Sequence, residues 1–211
     1  MRKLLLTTAA VAAAIGLAGC GKKEPVPETP NTFTDTRDGQ TYKTVKIGKQ
    51  TWMAQNLNYK TDSSWCYNDS LSYCQKYGRL YSWNAAKMAC PTGYHLPSLG
   101  EWDSLAQSVG GGQWKDYWVG AGMMLKAKSG WKEYSGNESD DFGFSALPSG
   151  EYSDGNFYDA DDDGFWWTAT EHGNDDAYGR CIYYVHASDD LSLCKETKST
   201  GYSVRCVADR P

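Results

Sequence analysis

Seven cysteines, one at position 20 and six spread between 66 and 206, constrain this chain more than any other feature. The first decides how the other six are read. Arg2 and Lys3 precede an apolar stretch, Leu4 to Ile15, which is too short for a mature membrane span and has the order of an export signal. Leu17-Ala18-Gly19-Cys20 closes it as a lipobox, with small residues ahead of a cysteine that is lipidated after cleavage. Residues 1–19 are therefore assigned to a lipoprotein signal peptide and Cys20 to a membrane anchor, which needs more than one acyl chain to hold. No aspartate follows the cysteine directly in Gly21-Lys22-Lys23, which points to a bacterial envelope destination at the outer membrane or cell surface.

In that oxidising compartment the even six read as disulfides. Six cysteines allow 15 pairings, and the sequence does not choose among them. We prefer Cys66–Cys74 closing a small loop, Cys181–Cys194 bracing a hairpin, and Cys90–Cys206 tying the middle of the domain to its last strand. A closure as long as the last constrains the unfolded chain most, by roughly 3–5 kcal/mol in the entropy model. No C-x-x-C pair occurs, which argues against catalytic or metal-binding thiols.

Residues 20–32 combine the anchor with the proline-bearing polar run "GKKEPVPETPNT", the composition of an extended tether. Residues 33–211 then form one domain of about 180 residues, enough for a proper core. Losing residues 1–19 removes Arg2 and Lys3 and moves the net charge from −5 to −7. An acidic, exported chain is a poor nucleic-acid binder, so that class is set aside.

Along the domain, "QTYKTVKIGKQTWMAQNL" (40–57) alternates β-formers around Gly48-Lys49 and predicts a hairpin. "GRLYSWNAAKMAC" has near-helical spacing and stops at Pro91. In "LPSLGEWDSLAQSVGG", Ser98 and Glu101 make a capping box ahead of the stripe Trp102, Leu105, Ala106 and Val109. "AGMMLKA" suggests one or two further turns. From Trp131 on, "FGFSALPSGEY", "GFWWTAT", "CIYYVHAS" and "GYSVRCV" read as short strands or buried coil between glycine-marked turns. Two helices, few strands and much loop predict an α+β domain.

Several segments in order, "YKTVKIGKQTWMAQNLNY" (42–59), "GRLYSWNAA" (78–86), "CPTGYHLPSLGEWDSL" (90–105), "DFGFSALPSGEY" (141–152), "GFWWTATE" (164–171) and "GYSVRCV" (201–207), resemble the FISUMP domain, the fibrobacter succinogenes major paralogous domain. The resemblance implies an exported, often lipid-anchored domain, and supplies architecture rather than an activity. More distantly, "YHLPSLGEWDSLA" and "GYSVRCV" are similar to opening and closing signatures of the formylglycine-generating enzymes. That likeness implies the Cys90–Cys206 bridge and a disulfide-stapled, C-type-lectin-like fold: two helices, a small twisted antiparallel sheet and long irregular loops. The enzymes' reactive thiol pair, five residues apart, has no counterpart here, since Cys181 and Cys194 stand thirteen apart. The Glu-Pro-Asn, Gln-Pro-Asp and Trp-Asn-Asp elements of calcium-dependent lectins are also missing.

Thirteen Asp and Glu residues and no Lys or Arg lie between Glu133 and Gly179. Within that segment Asp159, Asp161 and Asp163, followed by Gly164, match the start of a calcium loop, in which alternate carboxylates converge on a hard cation. The twelfth position is Thr170, with Glu171 one residue late, so Ca²⁺ and a plain solvated acidic turn both stay open. Trp166, Tyr158 and Tyr152 are the candidate ligand contacts, because aromatic rings stack on sugars. In a strand Trp166 and Trp167 face opposite ways, so at most one of them is exposed. Gln55, Asn56 and Asn58 read as amides that satisfy loop backbone. His95, His172 and His186 lie far apart and show no ligand spacing. These features predict a non-catalytic binding or adhesion domain held at the membrane by its anchor, with a polysaccharide or an envelope protein as partner. A formylglycine-scaffold enzyme and an envelope scaffold are the alternatives.

Overall fold

The β-formers around Gly48-Lys49 pair as predicted. In the computed structural model, which describes residues 31–132, 140–183 and 190–209, β1 (Asn31–Thr34) pairs with β2 (Thr41–Ile47), and β2 turns into β3 (Gln50–Met53) with Ile47 opposite Gln50. Gly48 takes φ 58, and a Cβ there would come within 2.4 Å of Ser108 Oγ. Glycine therefore serves both the turn and the close approach of a helix end. Next come β4 (Ser64–Trp65), a 3-10 turn (Tyr67–Asp69), α1 (Leu71–Tyr77), β5 (Leu80–Tyr81) and α2 (Trp83–Ala89). β6 (Tyr94–His95) leads into α3 (Leu99–Ser108), which carries the predicted capping box between Ser98 and Glu101. The hairpin of β7 (Gly112–Trp114) and β8 (Tyr117–Val119) precedes α4 (Ala121–Leu125). The remainder is strand: β9 (Ser149–Ser153), β10 (Asn156–Ala160), β11 (Gly164–His172), β12 (Asp176–Ile182), β13 (Leu191–Thr197), β14 (Tyr202–Ser203) and β15 (Val207–Ala208).

The α+β class holds, with two corrections. The described residues contain four short helices, not two. α1 gave no sequence signal because seven residues, starting inside the Cys66–Cys74 loop and running past it, show only about two turns of periodicity. Nor is the sheet small and purely antiparallel. Five strands run β1-β2-β3-β15-β6 and eight run β4-β5-β14-β11-β12-β13-β8-β7, with β9 and β10 as a separate ribbon. β11 and β14 lie parallel, Trp166 beside Ser203, because the chain returns to the sheet only after β12 and β13.

The eight-stranded sheet divides two cores. Phe165 and Trp167 face one with Tyr81, Trp83 and Tyr202; Trp166 faces the other with Trp52, Trp102 and Phe144. Trp166 and Trp167 thus point to opposite faces, and both are fully buried because the sheet is covered on both sides. The preferred disulfides are the ones present: Cys66–Cys74, Cys90–Cys206 and Cys181–Cys194.

One buried polar group locks the cores together. Arg205 is fully buried, and its five N–H bonds are all used: Nε (3.0 Å) and one Nη2 (2.8 Å) on Asn56 Oδ1, the rest on the carbonyls of Met53, Phe144 and Ser145. Trp166 Nε1 donates to the same Asn56 oxygen at 2.9 Å, and Asn56 Nδ2 donates to Tyr77 O at 2.8 Å. Burial pulls the Arg205 pKa down to about 9, which leaves it charged at neutral pH. Gln55 also plays the predicted part, its Oε1 accepting from Lys43 N, whereas Asn58 Nδ2 donates to the side-chain Oε1 of Gln40 and not to backbone.

Candidate functional site

Of the three aromatic residues expected to contact a ligand, Trp166 is ruled out as a surface residue. Its exposure is 0%, and its indole N–H is held by Asn56. A central strand covered on both faces leaves neither ring of a Trp-Trp pair to solvent, which corrects the reading of Trp166 as a ligand contact. Tyr152 and Tyr158 lie on the β9–β10 ribbon; Tyr158 is 44% exposed and Tyr152 half-buried.

Tyr152 opens onto an aromatic array that sequence reasoning missed. It stacks on Trp65, ring centroids 4.2 Å apart and 20° from parallel. Phe157 follows at 5.0 Å from Tyr152, then Tyr67 at 5.3 Å and Tyr73 at 5.0 Å. All five rings are half-buried and belong to neither core. The only sequence hint is that Trp65 and Tyr67 flank Cys66, so the Cys66–Cys74 loop sets their positions.

Three devices hold the array. Arg79 lies under the disulfide, donating to Cys66 Sγ (3.3 Å), Cys74 Sγ (3.5 Å) and Ser64 O (2.8 Å). Gly201 pairs with Tyr152 through both backbone bonds, and a Cβ on it would press to 3.0 Å against Tyr152 and 3.1 Å against Trp65. The backbone is bent hard on both sides: Ser63, Asn68, Asp69, Asp154, Asp159 and Asp161 take positive φ, the region L-residues other than Asn and Asp seldom adopt.

The acidic turn adds a further support. Asp159, Asp161 and Asp163 do not converge; among the described residues no three His, Cys, Asp or Glu side chains form a metal-binding group. Asp161 instead accepts from Lys76 Nζ (2.9 Å) and from the Tyr77 hydroxyl, while Asp162 pairs with Lys132. Burial alone would raise the Asp161 pKa, but the bonds from Tyr77 and Lys76 outweigh it and hold the pKa low. The residues present therefore do not fit the expected Ca²⁺ set. The turn pins the C-terminal end of α1, which also carries Tyr73, against β10. Elsewhere in the acidic segment, Lys195 meets Asp176 and Lys198 meets Glu171, so basic residues from outside the segment relieve its self-repulsion.

Two open clefts flank the array. One, of about 560 Å³, lies among Trp65, Tyr152, Asn84, Asp154, Gly155 and Lys198. Lys198 Nζ is tied to Asn174 O at 2.7 Å and Gly173 O at 3.2 Å. The other, of about 550 Å³, is lined by Asn68, Asp69, Gly155, Asn156, Phe157 and Tyr158. Glu151, opposite Tyr158 in the ribbon, has its pKa raised to about 7 by burial and then by Glu196 and Asp159. A third cleft, about 220 Å³, runs between β2 and α1 and is walled by amides such as Gln55, Asn58 and Gln75. His95 is gripped by Glu101 (2.9 Å) and Asp209 (2.6 Å), so both ring nitrogens are engaged. Cys20 and His186 lie outside the described residues.

A family model described as the Fibrobacter succinogenes major domain matches residues 45–208, from within β2 to the end of β15. The chain belongs to this family. The match takes in both the Asn56–Trp166–Arg205 group and the aromatic array, so each is part of a Fibrobacter succinogenes major domain rather than an appendage to one. No curated protein and no solved structure matches the chain. The likeness to formylglycine-generating enzymes and C-type lectins thus rests on the short sequence signatures alone.

Proposed function

We propose that this Fibrobacter succinogenes major domain is a non-catalytic binding module of the bacterial envelope. It is exported, anchored through lipidated Cys20 at the outer membrane or cell surface, and contacts polysaccharide through the Trp65–Tyr152–Phe157–Tyr67–Tyr73 array. One observation carries this reading: five rings in continuous contact lie half-buried outside both cores, flanked by tight turns at Asn68, Asp69 and Asp154. Ring faces with adjacent carboxylates and amides suit sugars, whose apolar faces stack and whose hydroxyls bond sideways. The enzyme alternative asked for free thiols at Cys181 and Cys194, and these two are bridged.

Retention of the mature chain on a panel of soluble and insoluble polysaccharides tests the proposal. Retention is expected in calcium and in EDTA alike, since Asp161 and Asp162 are already paired with lysines. Trp65→Ala with Tyr152→Ala should weaken it at least about tenfold, the order for losing a stacked aromatic anchor. Failure to retain any polysaccharide would move the assignment to an envelope-protein partner or scaffold role.

A further inference from the structure

We infer that the two clefts are adjoining subsites for one uncharged, linear glycan chain, gripped along its length rather than at an end. The inference rests on the polysaccharide reading above and narrows its ligand. Both clefts are lined by Gly155, at the turn between β9 and β10, and a Cβ on Gly155 would meet nothing within 4 Å. No side chain therefore stands between them at this saddle. The rings follow the same course: Trp65 and Tyr152 serve the first cleft, Phe157 the second, and Tyr152 and Phe157 are in direct contact at 5.0 Å. Neither cleft is a blind pocket that would receive only a chain terminus.

Charge and shape select the chain. Asp154 borders the first cleft and Asp69 the second, each able to accept hydroxyl bonds and to repel a uronate or sulfate. Among the described residues Lys198 is the one basic lining residue of the first cleft, and it is occupied by two carbonyls and Glu171; the second cleft has none among them. Successive rings turn by 20°, 54° and 51° along Trp65, Tyr152, Phe157 and Tyr67. A stepped path of this kind fits a single twisted chain in solution, not the flat face of a crystalline polymer.

The test is calorimetric titration of the mature chain with glucose-, xylose- and mannose-based oligosaccharide ladders of two to six units, with a polyuronate and a microcrystalline polysaccharide alongside. Affinity for at least one neutral ladder should climb at least tenfold with length and then level off, and the polyuronate should bind at least tenfold more weakly. Phe157→Ala should flatten the climb with chain length, since the ring lines the second cleft; the wild-type ladder reads the same point without any variant. Equal affinity for the shortest and longest oligomers, preference for the polyuronate, or binding to the crystalline material alone would overturn the two-subsite inference yet leave polysaccharide binding standing. Absence of binding to every sugar would bring down both.

Discussion

Two regions of this protein join tryptophan to polar side chains, and they do so in opposite ways. Around Arg205, the Trp166 ring, the Asn56 amide and three carbonyls are sealed from water, and every guanidinium N–H is satisfied. Around Trp65 the rings are half-buried, the carboxylates reach solvent, and the chain turns tightly through Asn and Asp residues at positive φ. Asn56, Trp166 and Arg205 come from the segments that carry the family resemblance. Of the array, Trp65, Tyr67, Tyr73 and Phe157 fall between those segments, while Tyr152 is the last residue of one of them. The lesson is that the recognisable motifs build the frame, and the stretches between them supply most of the surface the frame presents, as folds generally separate scaffold from site.

The sharpest way to break the comparison is to treat the two tryptophans alike. Trp166→Ala should cost on the order of 3–5 kcal/mol, from the cavity left between well-packed rings, whereas Trp65→Ala should cost about 1 kcal/mol, the loss of one exposed stacking pair. Urea unfolding of both variants decides it; equal losses would mean that the array is simply a third core. A smaller effect is expected where the regions meet. Replacing Cys66 and Cys74 by Ser together should remove roughly 2–3 kcal/mol, the entropy of so short a closure. The same variant should lose sugar retention while near-ultraviolet circular dichroism from the buried tryptophans persists. If the array still binds, Arg79 and the bent backbone suffice without the bridge.

The smallest predicted effect concerns pH. Glu151 has a pKa of about 7 when folded against an ordinary 4.5, so the folded state holds its proton between these values and the unfolded state does not. The stability this contributes is complete below about pH 4.5 and is lost as the pH rises through about 7. Glu151→Gln should remove that slope and raise stability at pH 8 by about 1 kcal/mol, allowing for solvent screening of a half-buried group. Thermal melts of both proteins from pH 4 to 8 would show it. An unchanged slope in Glu151→Gln would assign the pH dependence to another group. His95 works in the same direction, because Glu101 and Asp209 raise its pKa against the effect of burial, and its contribution fades as the pH rises.

Much of the frame was legible in the residues themselves. The Gly48-Lys49 hairpin, the Ser98–Glu101 capping box, the opposed faces of Trp166 and Trp167 and the α+β class all follow from local spacing, which backbone geometry alone converts into structure. The candidate site was half legible at best. Tyr152 and Tyr158 were read as contacts, but Trp166 was read with them, because period two tells which rings are opposed and not whether a second layer covers the sheet. The acidic turn had the composition of a cation loop. What emptied it of that role was Lys76 and Lys132, whose sequence neighbourhoods give no sign of where they will end up.

By itself, the sequence determined the chain's local geometry: its turns, its helix starts, and which side chains share a face. These depend on a few bonded neighbours. Only the tertiary structure decided which faces meet water. Trp65 and Tyr152 stand 87 positions apart and stack because the pairing of β9 with the chain at Gly201 and the Cys66–Cys74 loop bring them together. Burial is the sum of everything packed around a residue, and no short stretch of sequence contains that sum.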